Sequence, residues 1–170
     1  MKLISLTALS SLFIVVALSF ISCEKRSYDK DQKFEFSKSG IALNGAQETP
    51  AVPSSATGTM DVFYSRETKL LSYKVTWSGL ADSVSGMHIH GLAPAGFAAG
   101  ILQNIVGASN SVFPQKTAGK FTFAKSGNLS GSLLVDGVLI KEEAVLNGQF
   151  YMNIHNATYP AGEIRGQITF

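Results

Sequence analysis

All three histidines of this 170-residue chain fall in two short stretches, Met87-His88-Ile89-His90 and Tyr151-Met152-Asn153-Ile154-His155. Both alternate apolar and polar side chains with the period of a β-strand, in which residues two apart share a face. His88 and His90 therefore project together, and His155 shares its face with Asn153 and Tyr151. The closing stretch adds Glu163, Arg165 and Gln167, separated by parity from Ile164, Ile168 and Phe170. If the three strands are neighbours, their polar faces meet. The chemistry on offer there is metal binding, because two imidazoles side by side and a third from another strand form a facial set suited to zinc or copper. Glu163 is then a further ligand or an orienter of one. Met87 and Met152 point away from the histidines by parity and take no part. Two other outcomes fit the same residues. One is a hydrogen-bonded network of Glu48, Tyr151, Asn153, Glu163, Arg165 and Gln167 that pins strand register, with the histidines donating to carbonyls. The other is a polar binding surface.

Other chemistry finds little support. There is no Gly-x-Ser-x-Gly elbow, and Gly91, Gly96 and Gly100 lack the Gly-Lys-Ser/Thr ending of a phosphate loop. Glu142 and Glu143 are adjacent and cannot face each other across a substrate, so a solvated surface is expected. No pair of nucleophile and base can be nominated, and the chain reads as a non-enzyme. Lys and Arg total 14 against 12 Asp and Glu, for a net charge of +2. No basic excess exists to track phosphates, which argues against nucleic acid. One cysteine supports neither a disulfide framework nor a multi-cysteine zinc site.

That cysteine closes an address. Lys2 precedes a mainly apolar run over residues 3–21, ending in Phe20-Ile21-Ser22-Cys23, the pattern of a secretory signal. A cysteine directly after Ser22 resembles the lipobox of bacterial lipoproteins, with Phe20 where that motif prefers Leu. The resemblance implies cleavage after residue 22 and a diacylated Cys23, with acyl chains supplying the membrane affinity. Residues 1–22 are then a signal peptide and residues 23–33, charged and aperiodic, a solvated tether. Residues 34–170 form the domain, long enough to bury a core without staples. Asn128-Leu129-Ser130 and Asn156-Ala157-Thr158 match the glycosylation sequon, and in a bacterial host these are chance matches.

Short alternating segments separated by Gly, Pro, Ser and Asn predict nine antiparallel strands: 36–43, 57–64, 71–78, 85–90, 100–106, 119–124, 129–135, 149–155 and 163–170. In 71–78 the set Leu71, Tyr73, Val75, Trp77 alternates strictly with polar residues, which places Trp77 in the core; the eleven Phe are assigned there as well. Residues 137–148 carry Ala, Glu, Lys and Leu and predict a short helix or turn, N-capped by Asp136, stopped by Gly148, and crossing between sheets. The expected class is all-β: an antiparallel sandwich or Greek-key barrel of eight or nine strands, immunoglobulin-like or superoxide-dismutase-like. Cu/Zn superoxide dismutase also carries His-x-His on a sandwich strand. That likeness ends with the short motif, since this chain has too few histidines for two metals and no cysteine pair.

Four motifs in order carry a wider resemblance. They are Leu43-Asn44-Gly45-Ala46-Gln47-Glu48-Thr49-Pro50-Ala51-Val52, His88-Ile89-His90-Gly91, Tyr151-Met152-Asn153-Ile154-His155-Asn156 and Pro160-Ala161-Gly162-Glu163-Ile164-Arg165-Gly166-Gln167. Together they resemble the CHRD domain, named after chordin and found in many bacterial secreted proteins, over about residues 36–170. The departures are Ala51 for a second Pro, Met87 for Ala and Asn156 for Thr, none of which removes a histidine, Glu48, Glu163 or Arg165. The resemblance implies an extracellular β-rich module without established enzymatic activity. It groups Glu48 with Glu163 and Arg165, where a buried Glu48–Arg165 pair and plain turn chemistry around Pro50 are both open. The cysteine-rich domains associated with growth-factor contacts in chordin are absent here, so that role does not carry over. The expectation is a lipid-anchored β module of the cell envelope, at the outer membrane or surface. Its binding or structural role would be toward an unidentified protein or polysaccharide partner, and metal binding is the alternative.

Overall fold

Strict alternation in Leu71-Ser72-Tyr73-Lys74-Val75 leaves one face of a strand to be buried, and its neighbour with the same pattern lies just upstream. The two pair as an antiparallel hairpin of β2 (Thr57–Ser65) and β3 (Leu70–Ser78), in unbroken register from Thr57↔Ser78 to Ser65↔Leu70. This register sets Met60 against Val75, Val62 against Tyr73 and Tyr64 against Leu71, all buried. The computed structural model describes residues 33–106 and 124–170, within a single compact unit spanning Lys33–Phe170. The signal peptide, Cys23 and the tether up to residue 32 lie outside the described residues, as does the strand expected at 119–124 apart from Ala124, which is in coil.

The remaining strands are β1 (Glu35–Asn44), β4 (Val84–Gly91), β5 (Ile101–Val106), β6 (Gly127–Leu134), β7 (Phe150–Asn156) and β8 (Ile164–Ile168). Among the described residues all eight join one antiparallel sheet in the order β5-β4-β7-β8-β1-β2-β3-β6. The all-β class is as expected, with a single sheet rolled into a nearly closed barrel. Gln103 on edge strand β5 brings the two ends together: it is buried, its Nε2 donates to Ser132 O on edge strand β6 at 2.8 Å, and its Oε1 accepts from Tyr73 Oη at 3.2 Å. A side chain thus substitutes for the missing ladder, easing the open-edge problem.

The expected helix is shorter and capped differently. Helix α1 (Glu142–Leu146) starts after Lys141, which makes no side-chain cap, and ends at Gly148, whose φ of +68° suits its role as stop. Asp136 caps the preceding turn instead. Its Oδ1 accepts the N–H groups of Val138, Leu139 and Ile140, each at 2.9 Å, because an Asx-type turn closes sooner than a helix can begin. With one sheet, α1 links β6 to β7 rather than crossing between sheets. Glu142 is not simply solvated: it accepts from Tyr64 Oη at 2.8 Å and pairs with Arg66 Nε at 2.7 Å. Glu143 remains exposed.

The aromatic expectation also needs correction. Phe150 is fully buried and Phe36 and Phe170 pack on the core, but Phe34, Phe63 and Phe97 are exposed. Trp77 is half-buried at the end of β3, packed on the core with its Nε1–H given to Ala124 O at 3.1 Å. A polar indole nitrogen draws the ring to the rim, where a carbonyl is in reach.

Candidate metal centre

Strands β4, β7 and β8 are consecutive in the sheet, so the condition for the polar faces to meet is fulfilled. Met87 and Ile89, Met152 and Ile154, and Ile164 and Ile168 supply the core from these strands. On the other face His88 lies across from Asn153 and His90 across from Tyr151, while Asn153 faces Arg165 and Tyr151 faces Gln167 on β8. Every residue of β7 is buried, so both faces of this strand are covered. The cover on the polar side is the loop over residues 92–100, held down by β8. Arg165, only 2% exposed, donates to Phe97 O at 2.9 Å, Pro94 O at 3.5 Å, Thr49 Oγ1 at 3.3 Å and Gln167 Oε1 at 3.0 Å. Gln167 donates in turn to Ala93 O at 2.9 Å and Gly148 O at 2.7 Å.

The ligand atoms of His88, His90 and His155 all lie within 4.8 Å of one another. Their tautomers follow from their partners. His90 Nδ1 is 2.9 Å from Ala99 O and His155 Nδ1 is 3.1 Å from Pro160 O. A carbonyl only accepts, so both Nδ1 atoms carry the proton and both Nε2 atoms present lone pairs. This is the carbonyl anchoring that fixes metal-binding imidazoles. His88 Nδ1 is 3.0 Å from His155 Nε2, and the His88 ring lies over Gly86, where a Cβ would sit 3.3 Å from its Cε1. Burial, then the neighbouring imidazoles, push His88 down to about 4. Burial likewise lowers His90 and His155. At neutral pH the cluster is uncharged, the state in which imidazole is a ligand.

Glu48 reaches this face from the turn after β1. Its Oε1 is buried, makes no hydrogen bond, and lies with the Asn153 amide nitrogen against Gly162. Burial pushes Glu48 up to about 7, against the opposing pull of the Arg165 charge, the Asn153 amide and the Thr49 N–H. Of the two readings left open for Glu48, the direct pair with Arg165 does not close: among the described residues the ion pairs within 4.0 Å are those of Glu142 with Arg66 and Lys69. The guanidinium is spent on carbonyls and stacks on Tyr151 instead, so its charge acts on Glu48 through space.

Glu163 belongs to a different network. Its carboxylate accepts from Ser54 Oγ at 2.6 Å, from Ala81 N at 3.0 and 3.1 Å and from the Asn156 side-chain amide. No histidine is among these partners, and Glu163 ties the end of β7 to the segments before β2 and after β3. Asn156 is fully buried in this network, which leaves its sequon no room for a glycan. Sequence reasoning missed Asn156, Ser54 and Ala81 here, and the carbonyls of Ala99 and Pro160 at the histidines. Carbonyls and loop N–H groups have no side-chain signature; only the Asn at 156, directly after His155, could have been suspected.

A nearly closed barrel that carries His90 and His155, both buried, and the half-buried His88 on one face is by architecture an all-β module. The CHRD domain family matches residues 40–168, and the chain belongs to it. No curated protein and no solved structure matches.

Proposed function

We propose that this CHRD module is a lipid-anchored binding protein of the cell envelope that holds a transition metal ion, zinc or copper, between His88, His90 and His155. The observation that carries the metal reading is the pair of Nε2 lone pairs, on His90 and His155, turned toward one another by Nδ1–H bonds to Ala99 O and Pro160 O. Imidazoles with no proton on these nitrogens are in the form that binds a cation. Among the described residues no hydroxyl or thiol hydrogen-bonds to these imidazoles, and this supports binding rather than nucleophilic catalysis. The anchor rests on Cys23 and the lipobox resemblance.

The test is metal content. The chain, purified without a histidine tag, is exposed to zinc or copper, desalted, and compared with the His88→Ala/His90→Ala/His155→Ala variant. About one ion per chain in the parent and none in the variant is the expected result. Absence of retained metal in both would reduce the histidines to a device for strand register and direct the search to protein or polysaccharide partners.

A further inference from the structure

We infer that Asn153 is the fourth ligand of this site and that Glu48 is the positioning residue that aims it, which makes the centre a closed, zinc-type N3O site. The inference rests on the metal reading above and deepens it. Asn153 Oδ1 lies 3.0 Å from His90 Nε2 and 2.8 Å from His155 Nε2. Both nitrogens carry lone pairs, so neither supplies a proton to Asn153 Oδ1, and the three donor atoms converge. His88 Nδ1, 3.0 Å from His155 Nε2, is the donor to that lone pair in the metal-free protein, and it completes the group once its proton moves to Nε2 of the same ring. Donors at about 2.0–2.1 Å around a tetrahedral ion stand roughly 3.3 Å apart. The three short separations are within a few tenths of an ångström of that value, and the histidine atoms, which lie within 4.8 Å of one another, have to draw together around the ion.

The other end of the amide supplies the independent observation. Glu48 Oε1 is a buried acceptor without a hydrogen bond, set beside Asn153 Nδ2. Gly162 makes that approach possible: its φ is +127°, and a Cβ there would overlap both the carboxylate and the amide. An ionised carboxylate beside Nδ2 favours the orientation that turns the carbonyl end toward the imidazoles.

Two chemical consequences follow. Three imidazoles and an amide oxygen fill a tetrahedron, so the ion keeps no open position and is held rather than used. The oxygen donor and the adjacent carboxylate favour divalent zinc over cuprous copper, whose preferred thioethers, Met87 and Met152, are in the core on the opposite face.

The experiment loads the full chain with Co(II) as a spectroscopic substitute for zinc and follows the visible bands with added azide. The expected result is an intense tetrahedral spectrum that azide leaves unchanged. Asn153→Ala should admit azide and lose at least tenfold in zinc affinity, and Glu48→Gln should lose about tenfold while staying closed to azide. Asn153→Asp, which keeps shape and oxygen, should restore a spectrum insensitive to azide and covers the case in which the alanine variant does not fold. Azide-shifted bands in the parent, or Asn153→Ala binding as tightly as the parent, would overturn the four-ligand assignment while leaving the metal reading intact. Failure of the parent to take up either cobalt or zinc would overturn the metal reading itself.

Discussion

The ring of Tyr151 lies parallel to the imidazole of His90, with 4.7 Å between centroids and 3° between planes. Its other face is capped by the Arg165 guanidinium, 3.4 Å from the centroid. One tyrosine thereby couples a candidate ligand to the side chain that clamps the covering loop, and the same loop supplies Ala99 O to His90 Nδ1.

Arg165→Leu removes the clamp. The carbonyls of Phe97 and Pro94 lose their donor and Tyr151 loses its cation–π partner, at a cost of about 3 kcal/mol. Urea unfolding should show the lower midpoint. An unchanged midpoint would mean that the loop is held by something other than this guanidinium.

Stability should respond to pH with two opposing slopes, measured in chelator to keep metal out. Glu48 has a pKa raised from 4.5 to about 7, so its contribution is fully present below pH 4.5 and is lost as pH rises through 7. His88, lowered from 6.5 to about 4, contributes above pH 6.5 and loses that contribution as pH falls through 4. Glu48→Gln deletes only the first slope. Relative to the parent, the variant should be more stable at pH 8 than at pH 4 by on the order of 3 kcal/mol. An identical offset at the two pH values would show that Glu48 titrates as it does in the unfolded chain.

Gly162→Ala should be far costlier than a surface change. The backbone there is at φ +127°, and the new methyl would overlap Glu48 and Asn153. Left-handed strain and overpacking together cost roughly 2–4 kcal/mol. A melting temperature equal to the parent's would exclude the tight approach.

Cys23→Ala should release the protein from membranes into the soluble fraction, because the proposed acyl chains supply its membrane affinity. A variant that still sediments with membranes would point to an uncleaved anchor segment instead.

The faces of the site were legible in the sequence because strand periodicity leaves no freedom once a strand exists: His88 must share a face with His90, and His155 with Asn153. Adjacency was not, since β4, β7 and β8 are far apart in the chain and only the sheet order makes them neighbours. Glu163 shows where parity ran out. Two residues before Arg165, it follows Gly162 at φ +127°, and its carboxylate is taken by Ser54, Ala81 and Asn156 rather than by the histidines. Asp136 marks a local misreading, in which a short turn captured an oxygen that helix capping would have used.

By itself the sequence determined the all-β class, most of the strand positions, the family and the short list of polar residues, because these follow from local periodicity and motif chemistry. Only the tertiary structure decided the single rolled sheet, the Gln103 bridge between its edges and the division of two polar networks. It alone decided the tautomers of His90 and His155, since those depend on backbone carbonyls that no side-chain pattern records.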